Sequence, residues 1–277
     1  MTSGVDNGAR PATGRAPGVS GGELLRLHGI QKHFGPVQAL SDVTMSVPAG
    51  QVTALVGDNG AGKSTLIKTI SGIHAADGGH MEWLGKRAHI RTPRDASNLG
   101  IATVYQDLAL CDNLDIVANM FLGREPLSGL VLDEGSMETQ AKRTLTELSV
   151  TTVRSIRQPV GSLSGGQRQA VAVARAVMQN AKLVIMDEPT AALGVSQTAM
   201  VLELIATLAG RGIGVLVISH NLSDVFRVAD RLAVLYLGRL VAEGPIAEFD
   251  TQSAVELMTT GNRSGVSSGA AAGRSES

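Results

Sequence analysis

The sequence predicts an α/β fold with a mostly parallel central sheet, because short β-type runs alternate with helical patterns along the chain. Three runs are continuous in apolar residues, which is typical of parallel strands buried on both faces. They are QVTALVG (51–57), KLVIMDEP (182–189) and GVLVISH (214–220). Helical patterns follow the first two runs, at STLIKTISGI (64–73) and at the apolar positions Val201, Leu204, Ile205 and Leu208.

The ends of the chain differ in composition from the part between them. Residues 1–22 and 261–277 are rich in Gly, Ala and Ser, and we expect both to be disordered tails. Residues 23–260 then form a single domain, and with 43% hydrophobic residues in the chain they can bury a substantial core.

Two further β regions are predicted at the two ends of this domain. LLRLHGI (24–30) and the alternation of Val43, Met45 and Val47 with polar residues indicate an antiparallel β subdomain. RLAVLYLGRLVAEG (231–244) indicates a closing hairpin around Gly238.

The stretch from about 107 to 163 has a different pattern and contains no strong strand signal. Met137, Ala141, Leu145 and Leu148 recur at helical spacing within it. We therefore expect a helical subdomain inserted into the α/β domain.

Composition excludes several classes of protein. Aromatic residues are 3% of the chain and the formal net charge is -1, so neither base-stacking platforms nor a general attraction to nucleic acid is expected. The single cysteine, Cys111, has no partner for an internal disulfide and fits a cytosolic setting. The first residues lack the apolar stretch of a secretion signal, so any membrane role is expected to come through a partner.

The segment GDNGAGKST (57–65) lies between a β run and a helical run, which is the context of a phosphate-binding loop. Its glycines let backbone N–H groups turn toward phosphate oxygens at a helix N-terminus. We expect Lys63 to reach the β- and γ-phosphates and the Ser64 hydroxyl to hold Mg²⁺. The predicted nucleotide-binding residues are Gly57, Asp58, Asn59, Gly60, Ala61, Gly62, Lys63, Ser64 and Thr65.

An acidic pair, Asp187 and Glu188, follows the second buried run at the end where ligands bind in open α/β sheets. Asp187 is expected to support the metal. In a regular pleat Glu188 would point to the opposite side of the strand, where it can orient or deprotonate an attacking water. His220 ends the next strand, at the same edge of the sheet, where it can contact the γ-phosphate or that water.

A second segment has the chemistry to meet an anion. SLSGGQRQAVAVARA (162–176) places a Ser and two glycines at the start of a predicted helix, about a hundred residues after the phosphate loop. One domain does not need two phosphate-binding helix starts for one nucleotide.

Together these motifs resemble the ATP-binding subunit of ATP-binding-cassette (ABC) transporters over nearly all of residues 24–258. GDNGAGKST resembles its Walker A motif, VYQDLAL (104–110) its Q-loop, LSGGQ (163–167) its signature, LVIMDEP its Walker B motif and VISH its switch histidine. Phe34 occupies the position of the aromatic residue that stacks on adenine in that family.

The resemblance implies a P-loop ABC nucleotide-binding domain that binds ATP and Mg²⁺. Ser64, Gln106 and Asp187 would hold the metal, Glu188 would be the catalytic carboxylate and His220 would sense the γ-phosphate. Because the family works as paired cassettes, a homodimer is implied, with each signature completing the partner's ATP site. The signature residues are Ser164, Gly165, Gly166 and Gln167.

Within the family, VYQDLALCDNLDIVANMFLGRE, DEPTAALGVSQT and ISHNLSDVF look like the subunits that energise uptake of ribose, xylose and fructose. That resemblance implies permease subunits, an extracellular sugar-binding protein and a peripheral location on the cytoplasmic face of the membrane. The helical stretch 107–163 is the candidate docking surface. Two departures stand out: Asp58 replaces a common Glu, and Gly194 replaces the usual Asp of the D-loop.

Three alternatives compete with sugar import. A soluble ABC ATPase that acts on DNA or the ribosome usually has long coiled coils or a basic linker, and this chain has neither. A regulatory module that binds nucleotide without hydrolysing it does not need Asp187, Glu188 and His220, so the presence of all three argues against this alternative. An importer of a non-sugar solute would share every one of these motifs.

Overall fold

The computed structural model describes residues 22–150 and 152–262, and all structural statements below concern those residues. The predicted tails lie outside them except for Gly22, Gly261 and Asn262. In chain order the strands are β1 (Glu23–Phe34), β2 (Val37–Pro48), β3 (Val52–Val56), β4 (Gly78–Trp83), β5 (Lys86–Ala88), β6 (Ile101–Val104), β7 (Leu127–Ser128), β8 (Val131–Leu132), β9 (Leu183–Asp187), β10 (Gly214–Ile218), β11 (Arg231–Tyr236) and β12 (Arg239–Pro245).

The helices of the described residues pack mainly around the central sheet and in the inserted subdomain. They are α1 (Lys63–Ile70), α2 (Pro93–Leu99), α3 (Ile116–Phe121), α4 (Glu134–Glu147), α5 (Gly165–Met178), α6 (Val195–Gly210), α7 (Leu222–Val228) and α8 (Thr251–Thr260). In this part of the chain no helix combines the length and the apolar character that crossing a bilayer requires.

The central sheet has six strands in the order β12-β11-β3-β10-β9-β6. Five of them are parallel, and β12 pairs antiparallel with β11 through the predicted hairpin. β3, β9 and β10 are the three continuous apolar runs of the sequence. Ile218 of β10 pairs with Leu55 of β3 and with Asp187 of β9, so the carboxyl ends of these strands lie side by side.

Alternate residues of these strands face two different hydrophobic cores. Val184 and Met186 of β9 contribute to a core shared with α3, α4, α5 and α6, whereas Leu183 and Ile185 contribute to a core shared with α1 and the outer sheet. Because side chains of a strand alternate between its two faces, a sheet covered on both faces needs apolar residues at every position.

The outer sheet is antiparallel, with the order β2-β1-β4-β5, and forms the predicted β subdomain. It contacts the edge of the central sheet where the backbone N–H and the hydroxyl of Ser46 both donate to Glu243 Oε1 at 3.1 Å.

The stretch 107–163 contains α3 and α4, and α4 buries Met137, Ala141 and Leu145 at the predicted spacing. It also contains the short hairpin β7–β8, which the sequence analysis did not predict. The strands of that hairpin are two residues long and exposed, so they carry little of the burial pattern that predicts a strand.

Candidate functional site

A cavity of about 590 Å³ opens at the carboxyl ends of β3, β9 and β10. The phosphate loop, the residues that follow β9 and β10, and the start of β2 line it. The functional side chains that meet there are Lys63, Ser64, Gln106, Asp187, Glu188 and His220. These six side chains come from four separate segments of the sequence.

The loop between β3 and α1 is shaped by glycines. Gly62 precedes α1 with φ 103°, a left-handed conformation that favours glycine, and no side chain caps that helix. A Cβ at Gly57 would collide with the carbonyl oxygen of Leu235. The N–H groups at the start of α1 are therefore left for an acceptor such as a phosphate oxygen.

Lys63 is buried, and its Nζ donates to the carbonyl oxygens of Gly57 at 2.7 Å and Asp58 at 3.0 Å. Burial lowers the pKa of Lys63, while the nearby carboxylates of Glu188, Asp58 and Asp187 act in the opposite direction. A polyphosphate at the loop would add negative charge beside this ammonium group and favour its charged form.

Asp187 is the last residue of β9, and its pKa is raised, first by burial and then by the adjacent Glu188. A divalent cation would relieve both effects. Ser64 and Gln106 line the same cavity, so a hydroxyl, an amide and a carboxylate oxygen surround one space. That donor set fits Mg²⁺, which prefers oxygen ligands.

Glu188 lies outside the regular strand, which corrects the expectation that pleating sets its direction. Its φ of 49° is left-handed, and its N–H donates to the carbonyl oxygen of Ile218 at 2.9 Å. Asp187 and Glu188 consequently line the same cavity instead of opposite faces of β9. A non-glycine residue in this conformation stores strain of about 1–3 kcal/mol, which is a recurrent feature of functional sites.

His220 comes two residues after β10, and its side chain is 67% exposed. Its Nδ1 lies 2.9 Å from Glu188 Oε1. The structure thus places the predicted histidine against the predicted catalytic carboxylate.

The loop after Glu188 is tied to α7 by polar contacts that the sequence analysis missed. The Thr190 hydroxyl donates to Asp224 Oδ2 at 2.8 Å, and the Asn221 side chain donates to the same oxygen at 3.0 Å. Asp224 is 8% exposed. No motif spacing relates residue 190 to residue 224, so only the fold reveals this link.

Phe34 does not line the cavity. It ends β1 with 44% of its surface exposed, its ring packs edge-on against His74 at 5.2 Å, and Lys32 Nζ lies 5.5 Å from its centre. Val37, Gln38 and Ala39 of β2, which the sequence analysis missed, line the cavity instead. An adenine stack on Phe34 stays a prediction.

The signature segment does not line the cavity of its own chain. Ser164 caps α5 and forms a capping box with Gln167, and Gln167 Nε2 donates to the carbonyl oxygen of Thr152 at 2.7 Å. A Cβ on Gly165 would collide with Leu193, and one on Gly166 with Met200. The start of α5 therefore packs closely against the loop before α6 and against α6 itself, through the ends of two flexible side chains.

A second cavity of about 450 Å³ adjoins the first, and Gln106, Glu188 and Ala191 line both. Gly165 and Arg168 of α5 line the second cavity. The start of α5 and the first cavity thus lie on one continuous surface.

The structure accommodates both departures from the family pattern, at Gly194 and at Asp58. Gly194 precedes α6, and a Cβ built there meets no atom within 4 Å. Asp58 Oδ1 accepts a hydrogen bond from the N–H of Asn59 at 2.7 Å, which steadies the loop.

Comparison with known proteins places this geometry in context. The family described as ABC transporter matches residues 40–191. A xylose/arabinose import ATP-binding protein from Sulfolobus acidocaldarius is 46% identical over 86% of this chain and 94% of its own length. A fructose import ATP-binding protein from Rhizobium meliloti is 46% identical over 85% of this chain and 94% of its own length.

Longer relatives and solved structures are similar as well. A ribose import ATP-binding protein from Chromobacterium violaceum is 40% identical over 84% of this chain, which covers 46% of that relative. A nucleotide-free ATP-binding cassette of an ABC transporter superposes with a TM-score of 0.71, 31% identity and coverage of 80% of this chain and 91% of that one. The ADP conformation of another ATP-binding cassette superposes with a TM-score of 0.72 and 29% identity, and the match covers 86% of this chain and 95% of that one.

Proposed function

Because this chain belongs to the ABC transporter family, we propose that it is the ATP-hydrolysing subunit of an importer that takes up a sugar through a separate membrane permease. The observation that carries the ATPase assignment is the shared cavity, where Lys63, Asp187, Glu188 and His220 meet at the carboxyl end of the central sheet. The names of the relatives, which import xylose or arabinose, fructose and ribose, support the sugar.

Binding of ATP relies on the phosphate loop. The N–H groups at the start of α1 and the ammonium group of Lys63 hold the phosphates, and Lys63 exchanges its two carbonyl partners for phosphate oxygens. Ser64, Gln106 and Asp187 would hold Mg²⁺, which neutralises charge on the β- and γ-phosphates.

Hydrolysis relies on Glu188 as the base that orients and deprotonates the attacking water. His220 faces both this carboxylate and the open cavity, so it is placed to bond the γ-phosphate when ATP is bound. The contact between Glu188 and His220 gives the site a way to report whether that phosphate is present.

A second copy of the chain completes the site. Ser164, Gly165, Gly166 and Gln167 begin the 14-residue helix α5, and none of them lines the cavity that contains the chain's own phosphate loop. We assign this helix start to the ATP of a partner cassette in a homodimer. ATP binding closes that dimer, and hydrolysis followed by product release reopens it.

The permease would place this subunit at the cytoplasmic face of the membrane, where the stretch 107–163 is the candidate docking surface. An extracellular sugar-binding protein would deliver the solute to the permease. We do not extend the proposal to nucleic acid, since the net charge of -1 supplies no general attraction to it.

Phosphate release by the purified chain with Mg²⁺ and ATP tests the ATPase assignment. Glu188→Gln should bind ATP but lose turnover by about 100-fold or more, because the amide cannot accept the proton. Glu203→Gln is the matched control, since Glu203 is exposed on α6 outside the cavity. Full hydrolysis by Glu188→Gln would contradict the role given to Glu188.

Co-purification with membrane partners tests the transport assignment. The sugar-binding protein that accompanies them should show a thermal shift with a pentose or a hexose. A partner set whose binding protein responds only to a non-sugar solute would overturn the carbohydrate proposal and leave the ATPase intact.

A further inference from the structure

Two histidines and a glutamate meet on one face of the outer sheet. His28 of β1 pairs directly with His80 of β4, and Glu82 lies two residues further along β4, on the same side as His80. The two imidazole rings stack with centres 4.5 Å apart and planes 7° apart. None of the three residues lines the nucleotide cavity.

The backbone of the two strands brings these side chains together. The β1–β4 register shifts between His28 and Gln31, beside Gly29 with φ 57°. Gly79 has φ 79°, and a Cβ there would collide with the carbonyl oxygens of His28 and Gly29. The strands therefore approach so closely that only glycine fits at position 79, and the main chain itself holds His28 opposite His80.

The donor atoms of the cluster converge. His28 Nε2 lies 3.2 Å from Glu82 Oε2, His80 Nε2 lies 3.8 Å from Glu82 Oε1, and one ligand atom from each residue falls within 4.8 Å of the others. His28 Nε2 is shielded from solvent, and its contact with Glu82 Oε2 is favourable only when this nitrogen carries a proton. A metal ion between the two atoms would satisfy the nitrogen lone pair and the carboxylate without that proton.

The three ligands select a particular class of cation. Imidazole suits Zn²⁺ and similar transition metals, whereas Mg²⁺ and Ca²⁺ require more oxygen ligands than one carboxylate supplies. Arg26 and Arg87 are the cross-strand partners of Glu82, so the surroundings are not an acidic cluster that attracts any cation. The two imidazoles must provide most of the affinity.

We propose that His28, His80 and Glu82 form a zinc site, with water in the fourth position. Zinc bonds of about 2.0–2.2 Å in a tetrahedron place ligand atoms roughly 3.3 Å apart, and the two histidine–glutamate separations here are 3.2 and 3.8 Å. Because the two rings are nearly parallel, at least one imidazole must rotate out of the stack for both nitrogens to bind one ion. The bound metal would join β1 to β4 and stabilise the folded chain, because it binds the native state in preference to the unfolded one.

Titration of the metal-free, nucleotide-free chain with Zn²⁺ tests the site. Calorimetry measures the binding, and thermal unfolding measures the change in stability. The wild type should bind one Zn²⁺ with an accompanying rise in Tm, and Co²⁺ in its place should give the visible absorption of a low-symmetry site. His80→Ala and Glu82→Gln should each weaken Zn²⁺ binding roughly 100-fold or more, since loss of a ligand exceeds loss of an outer contact. Both residues are partly exposed, so we expect the metal-free variants to keep the Tm of the wild type.

Two histidine controls separate this site from other zinc ligands. His33→Ala removes an exposed imidazole near the end of β1, and His220→Ala removes the imidazole of the nucleotide cavity. Both should bind Zn²⁺ as the wild type does. Absence of Zn²⁺ binding by the wild type, unchanged binding by His80→Ala, or loss of binding in His220→Ala would each overturn the proposal.

Discussion

His220 Nδ1 lies 2.9 Å from Glu188 Oε1, so the residue after β9 and the segment after β10 meet at the nucleotide cavity. The carboxylate is held by a left-handed backbone and is 17% exposed, whereas the imidazole is 67% exposed. A γ-phosphate entering the cavity would compete with Glu188 for the imidazole. Binding of ATP would thereby release the Glu188 carboxylate from its contact with His220.

Removal of the imidazole should affect hydrolysis more than binding. We expect His220→Ala to lower the kcat of ATP hydrolysis about 100-fold, because Glu188 loses the side chain that orients it. Affinity for ATP should change little, since the phosphate loop holds the nucleotide. Phosphate release and nucleotide titration measure the two quantities, and His33→Ala is the matched control. Equal kcat in His220→Ala and the wild type would contradict the assigned role.

Asp187 is expected to reduce the stability of the nucleotide-free chain. Its pKa is raised by burial and by Glu188, so ionisation costs more in the folded state than in the unfolded state. Asp187→Asn should raise Tm at neutral pH and abolish the further rise caused by Mg²⁺ with ATP. Asp112→Asn, at an exposed position, is the control for loss of one charge.

The sign of the pH dependence follows from the same shift. The folded state binds a proton at Asp187 more tightly than the unfolded state, so this residue adds stability as pH falls through its raised pKa. The advantage of Asp187→Asn over the wild type should therefore shrink toward acid. Urea unfolding at several pH values measures the difference in unfolding free energy between Asp187→Asn and the wild type. If this difference stays constant with pH, the pKa of Asp187 is the same in the folded and unfolded states.

The start of α5 can be tested with its helix cap preserved. Ser164→Asp keeps an N-cap side chain but places a negative charge where a partner's γ-phosphate would lie. We expect cooperative ATP hydrolysis to be lost while a single chain still binds ATP. Rate as a function of protein concentration and size-exclusion chromatography with ATP report the effect.

A second cap provides the control for that experiment. Thr92 caps α2 with the same capping-box arrangement, and Thr92→Asp makes the equivalent change away from α5. It should leave hydrolysis unchanged. Normal cooperative hydrolysis by Ser164→Asp would show that α5 does not face a partner's nucleotide.

Asn119 should be essential to the helical subdomain. It is fully buried, accepts from the N–H of Cys111, and donates to the carbonyl oxygens of Cys111, Leu114 and Asp115. Asn119→Ala leaves several of these groups without a partner and should lower the free energy of unfolding by about 3 kcal/mol in urea titrations. Asn113 is exposed in the loop before α3, and Asn113→Ala should change the free energy of unfolding by less than about 0.5 kcal/mol.

Features encoded locally were predictable from the sequence. The phosphate loop needs a strand, a glycine-rich turn and a helix in succession, and all lie within residues 51–73. The continuous apolar runs identified β3, β9 and β10, because strands covered on both faces need apolar residues at every position. The resemblance to the family extended this to the signature and the switch histidine.

The hairpin β7–β8, the direction of Glu188 and the lining by Val37, Gln38 and Ala39 were not predicted. Two-residue strands have no periodicity to read, and pleating ceases to apply once the chain adopts a positive φ. The β2 residues reach the cavity only because the outer sheet packs against the central one.

By itself the sequence determined which segments are predicted to carry phosphate, metal and catalytic chemistry, since each motif consists of neighbouring residues. Only the tertiary structure decided how distant residues meet: Glu188 with His220, Gly165 with Leu193, and His28 with His80 and Glu82. Strand order, register and local backbone conformation set those distances. They arise from the packing of the whole chain, which no short stretch of sequence contains.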